Sequence, residues 1–221
     1  EAQAQIRKGT VIGSECQVGS GAILGADPQF LGFDPKTASG VKAGNKNVFR
    51  EYVTVHRSFQ EETSTIIGDE NYLMTGTHIG HDCILGNSNT SANNVLFAGH
   101  VEVGNSCFFG GASVFHQFIR IGNNVMTQGM SGFSMDIPSF TMTSGVNMIS
   151  GLNIIGMRRA GFDPQTRTQI KRAFAMIYQK RLPLDEVKKA FQEESPSEAL
   201  QAFLQFFEST GKKGICLKLS K

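Results

Sequence analysis

The sequence predicts an all-β solenoid, a left-handed parallel β-helix of hexapeptide repeats, followed by a small α-helical tail. Three observations predict it. A residue period of six runs through the first two thirds of the chain, a small residue repeatedly follows the inward position of each unit, and the pattern changes to helical spacing beyond Ile155. From Ile67 an aliphatic, small or aromatic residue recurs at every sixth place: Ile67, Leu73, Ile79, Leu85, Ser91, Phe97, Val103, Phe109, Phe115, Ile121, Thr127 and Phe133. Only Ser91 and Thr127 interrupt its apolar character.

A period of six suits neither an α-helix, which repeats every 3.6 residues, nor a strand with alternating faces. It suits very short strands joined by tight corners, three to a triangular coil of about 18 residues. The next position is often small (Gly68, Gly80, Gly86, Ala92, Ala98, Gly104, Gly110, Gly122). This predicts crowded corners at which glycine adopts unusual backbone angles. The fifth position is mostly small or β-branched, and Cys16, Cys83 and Cys107 fall on it. These thiols are therefore expected as packed fillers. The same phase appears earlier, in Ile12-Gly13, Val18-Gly19, Ala43-Gly44, Phe49-Arg50 and Val55-His56.

Two excursions interrupt the solenoid, which is assigned to residues 1–155. The first, 26–42, sets Pro, Gly and Asp around Phe30, Leu31 and Phe33, and the second, 57–65, is more polar and is expected to be mobile. Aromatic residues on such a loop either contact a ligand or neighbouring subunit or tuck against their own coil. Residues 156–221 are assigned to a helical domain. Asp163-Pro164 reads as an N-cap acid with proline at the first helical position, and Ile170, Phe174, Ile177 and Tyr178 follow at helical spacing. A second helix is expected over 184–191, and a third is expected to start at Ser195-Pro196.

Composition narrows the function classes. The 221 residues carry a formal charge of +2, which gives no whole-chain argument for nucleic acid. No stretch approaches the roughly 20 apolar residues of a membrane-spanning helix. The four cysteines form no CxxC pair, so a structural zinc site is not expected, and no bound metal is expected at the histidines either. Reduced thiols fit a cytoplasmic protein. The sequence opens at Glu1 inside the pattern, without a signal peptide.

Counting coils places the histidines. Residues 18 apart stack on one face, so His81 lies under Gly99 and beside His100, with His116 and Gln117 near the next coil and His78 around the same edge. Four of the 5 histidines thus fall in one column. The bland alternative is that polar residues collect at solenoid corners because turns are wet. A zinc site would need three convergent imidazoles. General-base catalysis needs only one neutral imidazole, whose ordinary titration range suits removal of a hydroxyl proton. Asp82 would fix its tautomer, and Gly99 could offer its amide to an oxyanion. No serine stands in the column as a nucleophile, which favours direct transfer over a covalent intermediate.

The segments IGHDCILGN, NNVLFAGHVEVGN, GGASVFHQFIRIG and GLNIIGMRRAGF resemble the acyl-[acyl-carrier-protein]–UDP-N-acetylglucosamine O-acyltransferase family, which begins lipid A biosynthesis. The likeness runs through nearly the whole chain, and it implies further coils ahead of Glu1. It also implies a homotrimer with active sites in clefts between subunits. His81 would deprotonate the sugar 3-hydroxyl, or a 3-amine, which attacks an acyl thioester. Gly99 would be the oxyanion donor. His78, His100 and Gln117 would surround sugar and phosphates, and His116, placed by the coil count, is assigned to substrate binding with them. Gln29 would be a sugar-side glutamine, Asn153 and Arg159 nucleotide-side residues, and Met126 and Gly129 the floor limiting acyl length.

The resemblance departs at four places. Phe30 and Gly32 stand where the family's loop carries an acid and a lysine, Ile155 where it carries an acid, and Ala160 where it carries a second arginine. Each removes a polar contact to the acceptor, worth about 0.5–1.5 kcal/mol. This leaves open a paralogue that acylates another acceptor, alongside a non-catalytic β-helix and a metal-dependent enzyme such as a hydratase. Arg158, Arg159, Arg167, Lys171, Arg172, Lys180 and Arg181 make the start of the tail basic. This suits an acidic acyl carrier protein as donor partner, with its thioester as substrate and no other cofactor expected.

Overall fold

A computed structural model describes residues 1–209 and 211–220. The chain winds as a left-handed β-helix whose three faces are parallel sheets. The first face stacks Gln5–Ile6, Ile23–Ala26, Thr54–His56, His78–Ile79, Leu96–Phe97, Val114–Phe115 and Gly132–Phe133. The second runs from Thr10–Ile12 to Arg120–Ile121 and the third from Gln17–Val18 to Lys218–Leu219. Register is uniform where no excursion intervenes: His78 pairs with Leu96, and Leu96 with Val114.

The period is realised as expected. Every repeated inward residue from Ile67 to Phe133 is buried, including Ser91 and Thr127. Inward aromatic residues one coil apart on the first face stack: Phe97 and Phe115 lie 4.9 Å apart at 12°, and Phe115 and Phe133 5.6 Å apart at 17°. Cys83 and Cys107 are buried fillers whose thiols, pushed up to about 12 by burial, donate to Ala98 O and Gly122 O. Cys16 is half-buried and donates to Gly44 O at 3.2 Å.

The small residue after the inward one has a different cause from the one expected. The left-handed backbone falls two positions later, at Asp82 (φ 59°), His100 (φ 60°) and Phe118 (φ 68°) among others. Non-glycine residues seldom adopt it, so these corners are held by the coil. Glycine follows the inward residue because successive coils touch there. A Cβ on Gly80 would lie 2.7 Å from Ala98 C, and one on Gly86 2.6 Å from Gly104 O.

Two asparagine ladders clamp the edge between the second and third faces. Inside, Asn71 Oδ1 accepts the Asn89 amide at 3.0 Å and Asn89 Oδ1 accepts the Cys107 amide at 2.9 Å, while Asn89 Nδ2 donates to Gly104 O. Outside, the amides of Asp69, Asn87 and Asn105 donate at 2.7 Å to the side-chain oxygens of Asn87, Asn105 and Asn123, 18 residues further on in each case. Corner amides that no strand can pair are satisfied in this way.

Both excursions leave the opposite edge, where the first face turns into the second. Residues 27–39 bridge Ile23–Ala26 and Gly40–Ala43, and residues 57–63 bridge Thr54–His56 and Ser64–Ile67. Arg57 staples the first to the second. Its guanidinium meets Asp27 at 2.8 Å, donates to the carbonyls of Thr37 and Pro35, and lies 4.7 Å from the Phe33 ring centroid.

Beyond Phe133 the period gives way to an antiparallel pair, Thr141–Ser144 with Met148–Leu152, which the sequence reading did not anticipate. Helix α1 (Ile154–Arg159) follows, then α2 (Pro164–Phe174), capped by Asp163 through the Thr166 amide at 2.9 Å. A π-helical segment, Ala175–Gln179, turns Tyr178 so that its hydroxyl reaches Cys216 O at 2.8 Å. Next come α3 (Leu184–Lys189) and α4 (Glu198–Glu208). Helix α4 starts later than the Ser195-Pro196 expectation. Gln169 holds residues 195–197 extended, donating to Ser195 O and accepting from the Ser197 amide, and Ser197 becomes the N-cap. Among the described residues no helix is long and apolar enough to cross a membrane.

Candidate functional site

The edge from which the excursions emerge also carries the imidazoles. Asp82, His100 and Phe118 occupy successive left-handed corners of that edge. His81, just before its corner, lies in line with Gly99 and Gln117 in the coils above. The His81 and His100 rings meet edge to face at 5.2 Å, and Phe118 stacks on His100 at 4.5 Å.

His81 is oriented from both sides. Its Nδ1 lies 2.7 Å from Asp82 Oδ2. A carboxylate can only accept, so Nδ1 carries the hydrogen and Nε2 keeps its lone pair free for a proton. Gly99 supplies the other wall. A Cβ there would fall 2.7 Å from both Nε2 and Cε1 of His81, so glycine makes room for the ring. The Gly99 amide donates to no group among the described residues.

The second excursion, expected from its polarity to be mobile, is instead packed through Ser58 and Phe59 and roofs this pair. The Phe59 ring meets the His81 and His100 rings at near right angles, with centroids 5.3 and 5.5 Å away. Phe30 of the first loop packs on Phe59 at 5.7 Å, tucking against its own protein behind the ring that meets the imidazoles. Gln29 is exposed beside it.

The fifth histidine, His56, belongs here too. It is buried and meets His78 edge to face at 4.8 Å, while His78 Nδ1 lies 2.8 Å from Thr54 Oγ1. The sequence count missed it because the excursion sets 24 residues, not 18, between coils: Thr54 pairs with His78. Burial, then the neighbouring His78 and His81, hold His56 down at about 4. Burial and then His81 lower His78, and burial is the main cause lowering His100. Each of these rings gives up protons more readily in the fold than in the unfolded chain. As pH falls below about 6.5, the unfolded state takes up protons first and stability is lost. The melting temperature is expected to drop as pH falls from 6.5 through about 4, the depressed value of His56. His56→Asn should flatten that slope, as read by thermal melts across the window.

Not every expected residue joins the cluster. His116 is exposed, with Nδ1 3.2 Å from Gln117 O, and Phe118 takes the place against His100 that a histidine column would give it. Gln117 is exposed one coil above Gly99. Met126 stands on the third face, 40% exposed, and Gly129 lies just after it. Asn153 is buried at the edge between the second and third faces, donating to Asn124 O at 3.0 Å and capping α1 through the Gly156 amide. Arg159 is exposed in the last turn of α1. Lys212, which sequence reasoning did not single out, sets its ammonium 5.2 Å from the Phe118 centroid.

His81, Asp82 and His100 offer ligand atoms within 4.8 Å of one another. A cation there would have to compete with the His81–Asp82 bond and with the Phe59 amide, which donates to the same carboxylate oxygen at 3.2 Å. The geometry therefore suits proton transfer at His81 Nε2, beside an amide free to meet a developing oxyanion.

Comparisons with known proteins agree on one family. A family model described as UDP N-acetylglucosamine O-acyltransferase, domain 2, matches residues 136–216. The acyl-[acyl-carrier-protein]–UDP-N-acetylglucosamine O-acyltransferase of Thermodesulfovibrio yellowstonii is 40% identical over 214 residues, covering 96% of this chain and 83% of that protein. Its namesake from Synechocystis is 36% identical over 200 residues, covering 90% of this chain and 71% of that one. Among solved structures, the UDP-N-acetylglucosamine acyltransferase of Bacteroides fragilis superposes with a TM-score of 0.90 at 33% identity, covering 97% of this chain and 84% of that one. That of Campylobacter jejuni gives 0.85 at 31%, with 100% and 92% covered.

Proposed function

The chain belongs to the acyl-[acyl-carrier-protein]–UDP-N-acetylglucosamine O-acyltransferase family, and from that premise we propose that it moves an acyl chain from a carrier-protein thioester to the 3-position of UDP-N-acetylglucosamine, the step that opens lipid A biosynthesis. The single observation that carries the chemistry is the His81–Asp82 bond at 2.7 Å, set beside Gly99.

Asp82 holds Nδ1–H, so Nε2 takes the proton of the sugar 3-hydroxyl as the oxygen attacks the thioester carbonyl. The tetrahedral oxyanion is met by the Gly99 amide. Collapse breaks the carbon–sulfur bond, and the His81 imidazolium returns its proton to the departing thiolate. No group is held covalently by the protein, and the thioester is a substrate.

The remaining residues fit a site built by more than one copy. His81 stands at the edge between the first and second faces, Met126 on the third face, and Asn153 at the edge between the second and third. One chain cannot close these around one ligand, whereas a homotrimer brings the histidine edge of one subunit against the third face of the next. Leu96 and Val114 above His78, and Phe108, Met126 and Met142 on the third face, offer two exposed apolar ladders between which an acyl chain would lie. Asn153, Arg159, Gln29, Gln117, His100 and His116 are the polar groups assigned to the sugar nucleotide, and the basic start of the tail is assigned to the acidic carrier protein.

The test is a mass-spectrometric screen of acyl-carrier-protein thioesters with UDP-N-acetylglucosamine, run beside sizing by light scattering. Acylated sugar nucleotide from a trimer is the expected result. Product with another acceptor, and none with UDP-N-acetylglucosamine, would overturn the acceptor assignment and attach the Phe30, Gly32, Ile155 and Ala160 substitutions to that change.

A further inference from the structure

The loop of residues 57–63 turns back onto the catalytic pair. Ser58 is fully buried, and its Oγ lies 2.5 Å from Asp82 Oδ1. The next amide, that of Phe59, donates to Oδ2 at 3.2 Å, the same oxygen that receives His81 Nδ1–H. Asp82 is thus held at both oxygens, and its own amide donates to Thr65 Oγ1 at 2.8 Å.

A serine hydroxyl has one hydrogen to give. The Gln60 amide donates to Ser58 Oγ at 2.9 Å, and Thr63 Oγ1, which contacts Ser58 Oγ, lies 3.0 Å from Gln60 O. Ser58 therefore receives from within its own loop and gives its hydrogen to the carboxylate, the strongest acceptor in reach. The backbone of Ser58 is tied to the other excursion: its carbonyl accepts from Ser39 Oγ at 2.5 Å and its amide donates to Gly40 O. Both long loops meet at this residue.

We propose that Ser58 is a positioning residue for the transfer reaction, its hydroxyl fixing the Asp82 carboxylate and, through it, the orientation and basicity of His81. The proposal rests on the reading of His81 and Asp82 as base and partner. The other groups facing the pair are His100, whose Nε2 stands 4.0 Å from Asp82 Oδ2, His78 and His56 below, and Lys212 beyond His100. None of them replaces the hydroxyl at Oδ1.

A hydroxyl that stabilises the carboxylate charge weakens its pull on the imidazolium. Ser58→Ala removes that donor, so the protonated ring is favoured. The acid limb of the kcat/KM profile moves to higher pH, by about half a unit. Loss of a hydrogen bond to a charged group lowers kcat on the order of tenfold, with KM little changed. The experiment is a cycle of Ser58→Ala, Asp82→Asn and the double variant, each checked by thermal melt. The same titration is followed without turnover from the His81 ring by NMR, so the test does not depend on the acceptor. Ser58 acts through Asp82, so in the Asp82→Asn background Ser58→Ala should change the rate less than about twofold. Additive losses, or an unmoved His81 titration in Ser58→Ala, would overturn the role of Ser58. If Asp82→Asn alone leaves rate and profile as in the parent, the base-and-partner reading itself is wrong, and this proposal goes with it.

Discussion

His81→Ala is expected to lower kcat by about 10²–10⁴-fold, the usual worth of a positioned general base, while the melting temperature stays close to that of the parent. The two halves of this expectation have separate causes. A sugar hydroxyl is a poor nucleophile until its proton has somewhere to go, and Nε2 of His81 is the lone pair the structure leaves free, because Asp82 engages Nδ1. His78 and His100 do not stand in for it: burial lowers both, and among the described residues neither has a carboxylate bonded to its far nitrogen. Stability is spared because the ring sits at the rim of the coil, outside the inward stack of Ile79 and Phe97. Asp82, relieved of one donor, keeps those of Ser58 and Phe59. Steady-state rates at saturating thioester, paired with thermal melts, check both halves. Turnover within tenfold of the parent in a folded variant would remove His81 from the mechanism.

The solenoid was legible because its period is mechanical. Each inward residue comes six positions after the last, three to a coil, and stacking at 18 residues follows without further information. That arithmetic placed His81, Gly99 and His100 together. It failed where the chain inserts residues. Across the second excursion the count becomes 24, so His56 escaped the column, and so did Ser58 and Phe59, which lie inside the insertion. A residue whose partner is chosen by a loop has no period to betray it. Side-chain direction was also illegible: His116 and Phe118 both lie near the right level, and the stack on His100 is made by the one at the left-handed corner. The tail followed local signals where a side chain caps its own helix, as Asp163 does. It departed where a distant residue intervened, as Gln169 does at Ser195 and Ser197.

Two glycines near His81 separate folding from catalysis, and substituting each by alanine should produce opposite losses. At Gly80 a new Cβ would come within 2.7 Å of Ala98 C and 2.8 Å of Gly99 N, both main-chain atoms of the coil above. Neither can yield without opening the stack, so Gly80→Ala is expected to lower the melting temperature. At Gly99 the three nearest atoms to a new Cβ all belong to the His81 ring, two of them at 2.7 Å. Gly99 has no left-handed backbone, so alanine imposes no conformational strain, and the ring swings aside instead. A base displaced by about 1 Å loses on the order of 10²-fold in rate, and the methyl group crowds the space in which the oxyanion would meet the amide. Gly99→Ala should therefore keep the parent's melting temperature and lose kcat, with the pH profile flattened as His81 leaves Asp82. Melts and rates measured on both variants decide the matter: a Gly99→Ala protein that turns over like the parent would show that the ring does not need this floor, and one that melts as early as Gly80→Ala would show that the coil, not the base, requires the glycine.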